Sequence, residues 1–185
     1  MGDRAAKDEL FASHPQSPLP ARDRATFSGL AYWPHDPAYR LAARLEPETD
    51  DAGPHDSRDD AASGLELPSS GPGAIRFRRI GWLSPGGPLA GQRLPAFWIE
   101  GYAGGLFVPF RDSTSGQETY GAGRYLLDTM KSADHGLAEE GQLRLDFNLA
   151  FHPSCAYDTR WSCPLAPRES WLGVPIPVGE RSAAS

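Results

Sequence analysis

The chain of 185 residues has only two cysteines, Cys155 and Cys163, and only two methionines. Two cysteines cannot make a disulfide framework, and neither belongs to a C-x2-C pair of the kind a closed zinc site uses. There is no G-x-S-x-G elbow, no phosphate-cradling P-loop and no H-E-x-x-H helix, so serine hydrolase, nucleotide hydrolase and zinc protease readings lose their sequence support. No apolar run approaches the length that spans a bilayer. The start, MGDRAAKDEL, lacks an apolar signal core and lacks Ser or Thr at the sixth position, where a myristoylation signal has one. The expected location is therefore the cytoplasm, away from membranes.

A basic excess is also missing. The formal net charge is −6. Eight acids and one arginine between Glu46 and Glu66 supply −7 of it, which leaves the rest of the chain at +1. A near-neutral body with an acidic segment does not have the basic footprint that nucleic-acid binding requires.

Glycine and proline are abundant instead, at 20 and 18 residues. Both disfavour helix interiors, so this load predicts many turns and short strands. A short amphipathic helix is expected over Asp3 to Phe11, followed by an extended HPQSPLP segment, 14–20, and an aromatic-pinned irregular stretch, 22–37. Tyr39 to Leu45 alternates as a strand would, although its Ala and Leu also suit a helix. Residues 46–73 are acidic and rich in Ser, Pro and Gly. They are expected to form a mobile loop with an apolar touch-down at Leu65 and Leu67.

Strand signals then become regular. They fall at Ile75 to Leu83 with a bulge at Gly81, and at Leu94 to Glu100 and Leu106 to Phe110 around GYAGG. Further strands are expected at Gly123 to Asp128 and Leu143 to Asn148, and Leu172 to Val178 suits an edge strand or an extended tail. The pattern predicts one domain, 1–185. It is mainly β, an antiparallel sandwich or partly open barrel with a short N-terminal helix and long irregular segments.

The candidate functional residues cluster between Leu106 and Cys163. Arg111, Asp112 and Tyr120 fall in or beside a turn between strands, and Arg124 follows a Gly-Ala-Gly run. Arg124 suits bidentate recognition of a carboxylate or phosphate, and equally an ion pair with Asp112 that fixes the turn. Alternation along a strand places Asp146 and Asn148 on one face, either toward a ligand or as caps of the next turn. His152, Tyr157, Cys155 and Cys163 follow. The cysteines read as reactive or paired thiols, as metal ligands completed by His135 or Asp146, or as small buried residues. Two classes of function stay open. One is a pocket for an anionic or carboxylate-bearing small molecule, with enzymatic activity undecided. The other is a non-catalytic binding or scaffold module whose polar residues tie loops down.

These motifs also carry a resemblance. SPL at 17–19, FRD-T-G-ETY-GRY from Phe110 to Tyr125, DFN-A at 146–150, P-CAY at 153–157, CP at 163–164 and GE at 179–180 resemble the uncharacterised bacterial and archaeal family known as domain of unknown function 1684. The resemblance implies a shared fold and no particular activity. The chain departs from the family pattern in having Phe151-His152 where Tyr-Asn is usual, and Ser170 where Asn is usual.

Overall fold

The structure is a computed structural model that describes residues 3–48, 65–71, 75–100, 104–129 and 132–183. Among the described residues two helices lead, α1 at Asp3–Ser13 and α2 at Ala21–Arg24. Eight strands follow: β1 Arg40–Ala43, β2 Leu45–Pro47, β3 Leu65–Glu66, β4 Arg76–Leu83, β5 Leu94–Ile99, β6 Gly105–Phe110, β7 Arg124–Asp128 and β8 Leu143–Asp146. One antiparallel sheet runs β2-β4-β5-β6-β7, with β3 also paired to β4, and a second joins β1 to β8. The mainly β architecture expected from the sequence is present, and the larger sheet does not close into a barrel among the described residues.

Both faces of the larger sheet are covered. One face contributes Ala96, Val108 and Leu126 to a core shared with Ala43, Leu145 and Phe147 from the β1–β8 side. The other carries Phe77, Phe97, Phe107 and Tyr125, with Leu67 packed among them. Two-sided burial explains why β7, RYLLD, is buried at every position and reads as a continuous run.

The expected bulge lies between Arg79 and Gly81. Gly81 has φ +154°, and a Cβ there would stand 2.2 Å from the Glu46 carbonyl oxygen, so only glycine fits. Pro109 lies at a second irregularity, in the β6–β7 register, beyond the end of the β5 pairing. Its missing N–H therefore costs the β5 ladder nothing.

Three expectations are refined. Glu46 and Pro47 belong to β2, and 65–71 returns to the body with Leu67 buried; residues 49–64 and 72–73 of the expected acidic loop lie outside the described residues. Leu172 to Val178 forms no strand and takes the extended-tail alternative. β8 stops at Asp146, because the Asp146 carboxylate accepts the Asn148 N–H and caps a short 3-10 turn over Phe147–Leu149.

The SPL motif anchors α1. Ser17 is fully buried, its hydroxyl donates to the Phe11 carbonyl, and Arg160 and Trp161 donate to the carbonyls of Ser17 and Pro18. No helix among the described residues is long and apolar enough to cross a membrane.

Candidate functional site

Arg124 is held inside the protein. Its side chain is 1% exposed and that of Asp112 is fully buried, with 2.7 Å between Nη2 and Oδ2. The guanidinium also donates to the carbonyls of Ile176, Val178 and Glu180. Asp112 accepts from the Ile176 N–H through Oδ2, and from both the N–H and hydroxyl of Thr114 through Oδ1. Burial pushes the Arg124 guanidinium down, and the Asp112 charge opposes that. The pair thus clamps the C-terminal tail onto β7. Gly123, with φ +101°, allows the approach, since a Cβ there would be 2.3 Å from the Phe110 carbonyl oxygen.

The other expected residues divide between structure and a cavity wall. Arg111 stacks on Trp171, with its guanidinium carbon 4.1 Å from the ring centroid. Asp146 and Asn148 are brought together by the turn rather than by strand alternation: Asn148 Nδ2 donates to Asp146 Oδ1. Asn148 is also bonded in both directions to the Asp36 backbone, and Asp146 forms an ion pair with Arg40. Tyr157 packs edge-on against Phe11.

His152 does reach a cavity. A space of about 440 Å³ lies beneath α1, lined by Arg4, Lys7, Phe11, Tyr32, His135 and Phe151 as well as His152, with Leu149 and Ser154 beside them. Arg124, Asp112, Asp146 and Asn148 are not among its lining residues. Arg4 lies over the Tyr32 ring at 4.3 Å and donates to the carbonyls of Trp33 and Asn148. Lys7 lies 4.3 Å over the Phe151 ring and 2.8 Å from Glu180.

Glu180 organises this wall from the buried end of the tail. It accepts from Lys7 and the His152 N–H through Oε2, and pairs with His152 Nδ1 at 3.2 Å through Oε1. Burial pushes its carboxyl up, but the Lys7 charge and His152 outweigh this and hold it below the usual carboxylate range. His152 Nε2 accepts the Tyr120 N–H, so the hydrogen on the neutral ring sits at Nδ1, facing Glu180. Burial, with the Glu180 and Asp8 charges, pushes the Tyr32 phenol far up, so it stays a hydroxyl donor.

Behind the His152 wall lie the thiols. Tyr120 Oη is 3.8 Å from Cys155 Sγ, and the Cys155 N–H donates to Cys163 Sγ at 3.3 Å. A hydrogen bond from the Cys163 thiol outweighs burial and, with Ser70 and Tyr120, draws Cys155 down to about 6. Burial and the bond to Cys155 push Tyr120 up to about 12. No group of three or more metal-ligating side chains is present among the described residues, so the metal alternative gains no support from the geometry.

Arg4, Lys7, Tyr32 and Glu180 escape sequence reasoning. Only the GE motif pointed toward Glu180, and nothing local signals that Lys7 pairs with a residue 173 positions away.

A family model described as a protein of unknown function, DUF1684, matches residues 25–181. The chain belongs to the DUF1684 family. Among solved structures, the solution NMR structure of an uncharacterized protein of Haloarcula marismortui is similar at 34% identity and a TM-score of 0.66, covering 97% of this chain and 90% of that one. No curated protein matches. Within this DUF1684 member, His152 and Ser170 occupy contrasting environments. His152 holds the Glu180 contact and the Tyr120 N–H, while Ser170 is fully buried with a hydroxyl that has no hydrogen-bond partner among the described residues.

Proposed function

We propose that the protein binds a small, partly apolar anion, of the aryl or alkyl carboxylate or phosphate type, in the cavity beneath α1. The observation that carries this reading is Arg4. It lines the cavity, yet its recorded partners are two carbonyl oxygens and an aromatic face, with no carboxylate pairing it among the described residues. A cation so placed beside Phe11, Leu149 and Phe151 suits a ligand with a charged head and an apolar body. The volume falls within the usual range for small-molecule sites, about 300–1,000 Å³. Tyr32 adds a hydroxyl that burial keeps protonated.

The reading is of binding rather than catalysis. Both ring nitrogens of His152 are engaged within the protein, so it is not poised as a general base toward the cavity. The buried Asp112–Arg124 pair is likewise committed to the tail.

The test uses the fluorescent anion 1-anilinonaphthalene-8-sulfonate and its uncharged relative N-phenyl-1-naphthylamine. The anion should saturate a single site and be displaced by aryl carboxylates. Arg4→Gln should weaken its binding about tenfold, the loss of roughly 1.4 kcal/mol expected for a charge-assisted contact. Ala6→Trp, which fills the exposed mouth, should abolish it. Equal binding of the neutral dye, or indifference to both substitutions, would refute the proposal.

A further inference from the structure

Cys155 and Cys163 form a constellation that the cavity does not use. Cys155 sits in the 3-10 turn Ser154–Ala156, and Cys163 precedes Pro164 eight positions after it. Both are free of a disulfide and largely buried. The Cys155 N–H lies 3.3 Å from Cys163 Sγ, which sets the two residues side by side. A short strap, 69–71, closes over them. Ser70 accepts the Cys163 N–H and its own N–H donates to the Cys163 carbonyl, while Ser69 meets Ser162 through exposed hydroxyls.

A pair of cysteines that served only to fill space would be surrounded by apolar atoms. Here Cys155 instead has polar neighbours: its N–H donates to Cys163 Sγ, its Sγ lies 3.8 Å from the Tyr120 hydroxyl, and the Ser70 hydroxyl, which donates to the Trp161 carbonyl, accepts the Cys163 N–H. A hydroxyl and a second cysteine beside a sulfur favour its thiolate. An attacking sulfur with a resolving thiol beside it is the arrangement that reversible disulfide chemistry needs.

We propose that Cys155 and Cys163 are a redox-active dithiol that closes to an intramolecular disulfide on reaction with a low-molecular-weight disulfide, with Cys155 as the attacking sulfur. The Cys155 thiolate attacks one sulfur of the external disulfide. A mixed disulfide forms, and one small thiolate leaves and takes up a proton. Cys163 then loses its proton and attacks the Cys155 sulfur, expelling the second small thiolate. The protein loses two electrons and two protons, and the external disulfide is reduced to two thiols. The strap at Ser69–Gly71, made of small residues and held at a surface position, is the element that must open for the first attack. The depressed thiol of Cys155 supplies thiolate at neutral pH. Cys163, beside it, is the resolving group.

The test places reduced full-length protein in glutathione buffers of graded disulfide content, quenches with acid, and reads intact mass and free thiols in denaturant. Expected is the loss of two hydrogens and of both thiols together, with only a transient glutathione adduct. Dithiothreitol should restore both. Cys163→Ser should stop at a stable adduct on Cys155, and Cys155→Ser should react at least tenfold more slowly. Retention of both thiols by the wild-type protein across all buffers, or accumulation of adduct without ring closure, would overturn the proposal. Adduct formation at Cys163 in Cys155→Ser at the rate seen for Cys155 would overturn the assigned order of attack. The wild-type measurement depends on no substitution, so a variant that fails to fold leaves the main result standing.

Discussion

Removing the Arg124 guanidinium should cost about 3–5 kcal/mol, the range for breaking a buried pair and stranding one charge. The structure supports the upper part of that range. Asp112 is fully buried, and Arg124→Ala leaves its carboxylate with N–H and hydroxyl donors but no countercharge. The tail carbonyls of Ile176, Val178 and Glu180 lose the guanidinium at the same time, and of these the Ile176 carbonyl keeps the Val178 N–H. For a domain stable by about 5–15 kcal/mol this is a large fraction of the total. Urea unfolding followed by fluorescence of the five tryptophans measures the loss. A double-mutant cycle with Asp112→Ala should show coupling of at least about 1–3 kcal/mol, because the second truncation removes the stranded charge. Hydrogen exchange should show the 172–181 segment opening before the sheet. A loss below about 1 kcal/mol, the value of an exposed pair, together with no coupling, would refute the argument that this pair clamps the tail.

The carboxyl of Glu180 titrates below its ordinary range, so it contributes stability above the unfolded carboxylate value near 4.5, and that contribution disappears as pH falls through the lower folded value. Glu180→Gln should therefore be less stable than wild type at neutral pH and should converge with it in acid; a constant difference across that window would count against the assignment. Alkylation of Cys155 by iodoacetamide should rise with pH around a midpoint near 6, and Cys163→Ala should move the midpoint upward because the strongest donor is gone. A midpoint in the ordinary thiol range, unmoved by Cys163→Ala, would contradict that cause. Gly123→Ala should destabilise by at least about 1–3 kcal/mol through a strained positive φ, before the clash with the Phe110 carbonyl is counted. Unchanged melting would show that the backbone there relaxes freely.

The β-body was legible because its signals are local. Apolar runs of strand length, a glycine at a bulge and glycine-rich connections predict β4 to β7 within one or two residues at each end. The Asp112–Arg124 pair was legible for a similar reason, being 12 positions apart across one turn and one strand start. The Asp146–Asn148 reading assumed that the strand continued. The aspartate's own side chain ended it by offering the backbone N–H a better partner than an incomplete ladder. The result still joins the two side chains, but through a turn that faces Asp36 and Arg40 rather than a cavity. The Arg4–Lys7–Glu180 wall carried no such signal, since its parts come from opposite ends of the chain.

This division has a physical cause. A protein with long irregular segments must satisfy backbone groups that no ladder pairs, and side chains supply the partners. Arg124 serves three tail carbonyls, Asp112 serves the tail and the Thr114 turn, and Asn148 serves Asp36. The polar density between Phe110 and Asn148 is therefore largely the cost of holding an extended tail and loops onto a small sheet. The cavity draws instead on α1, which precedes the stretch matched by the family model, and on Phe151 and His152. On the proposed reading, the frame is specified by the dense motifs. The choice of ligand falls to residues such as Arg4 that lie outside those motifs, so changes in α1 should alter binding while leaving the clamp and the sheet intact.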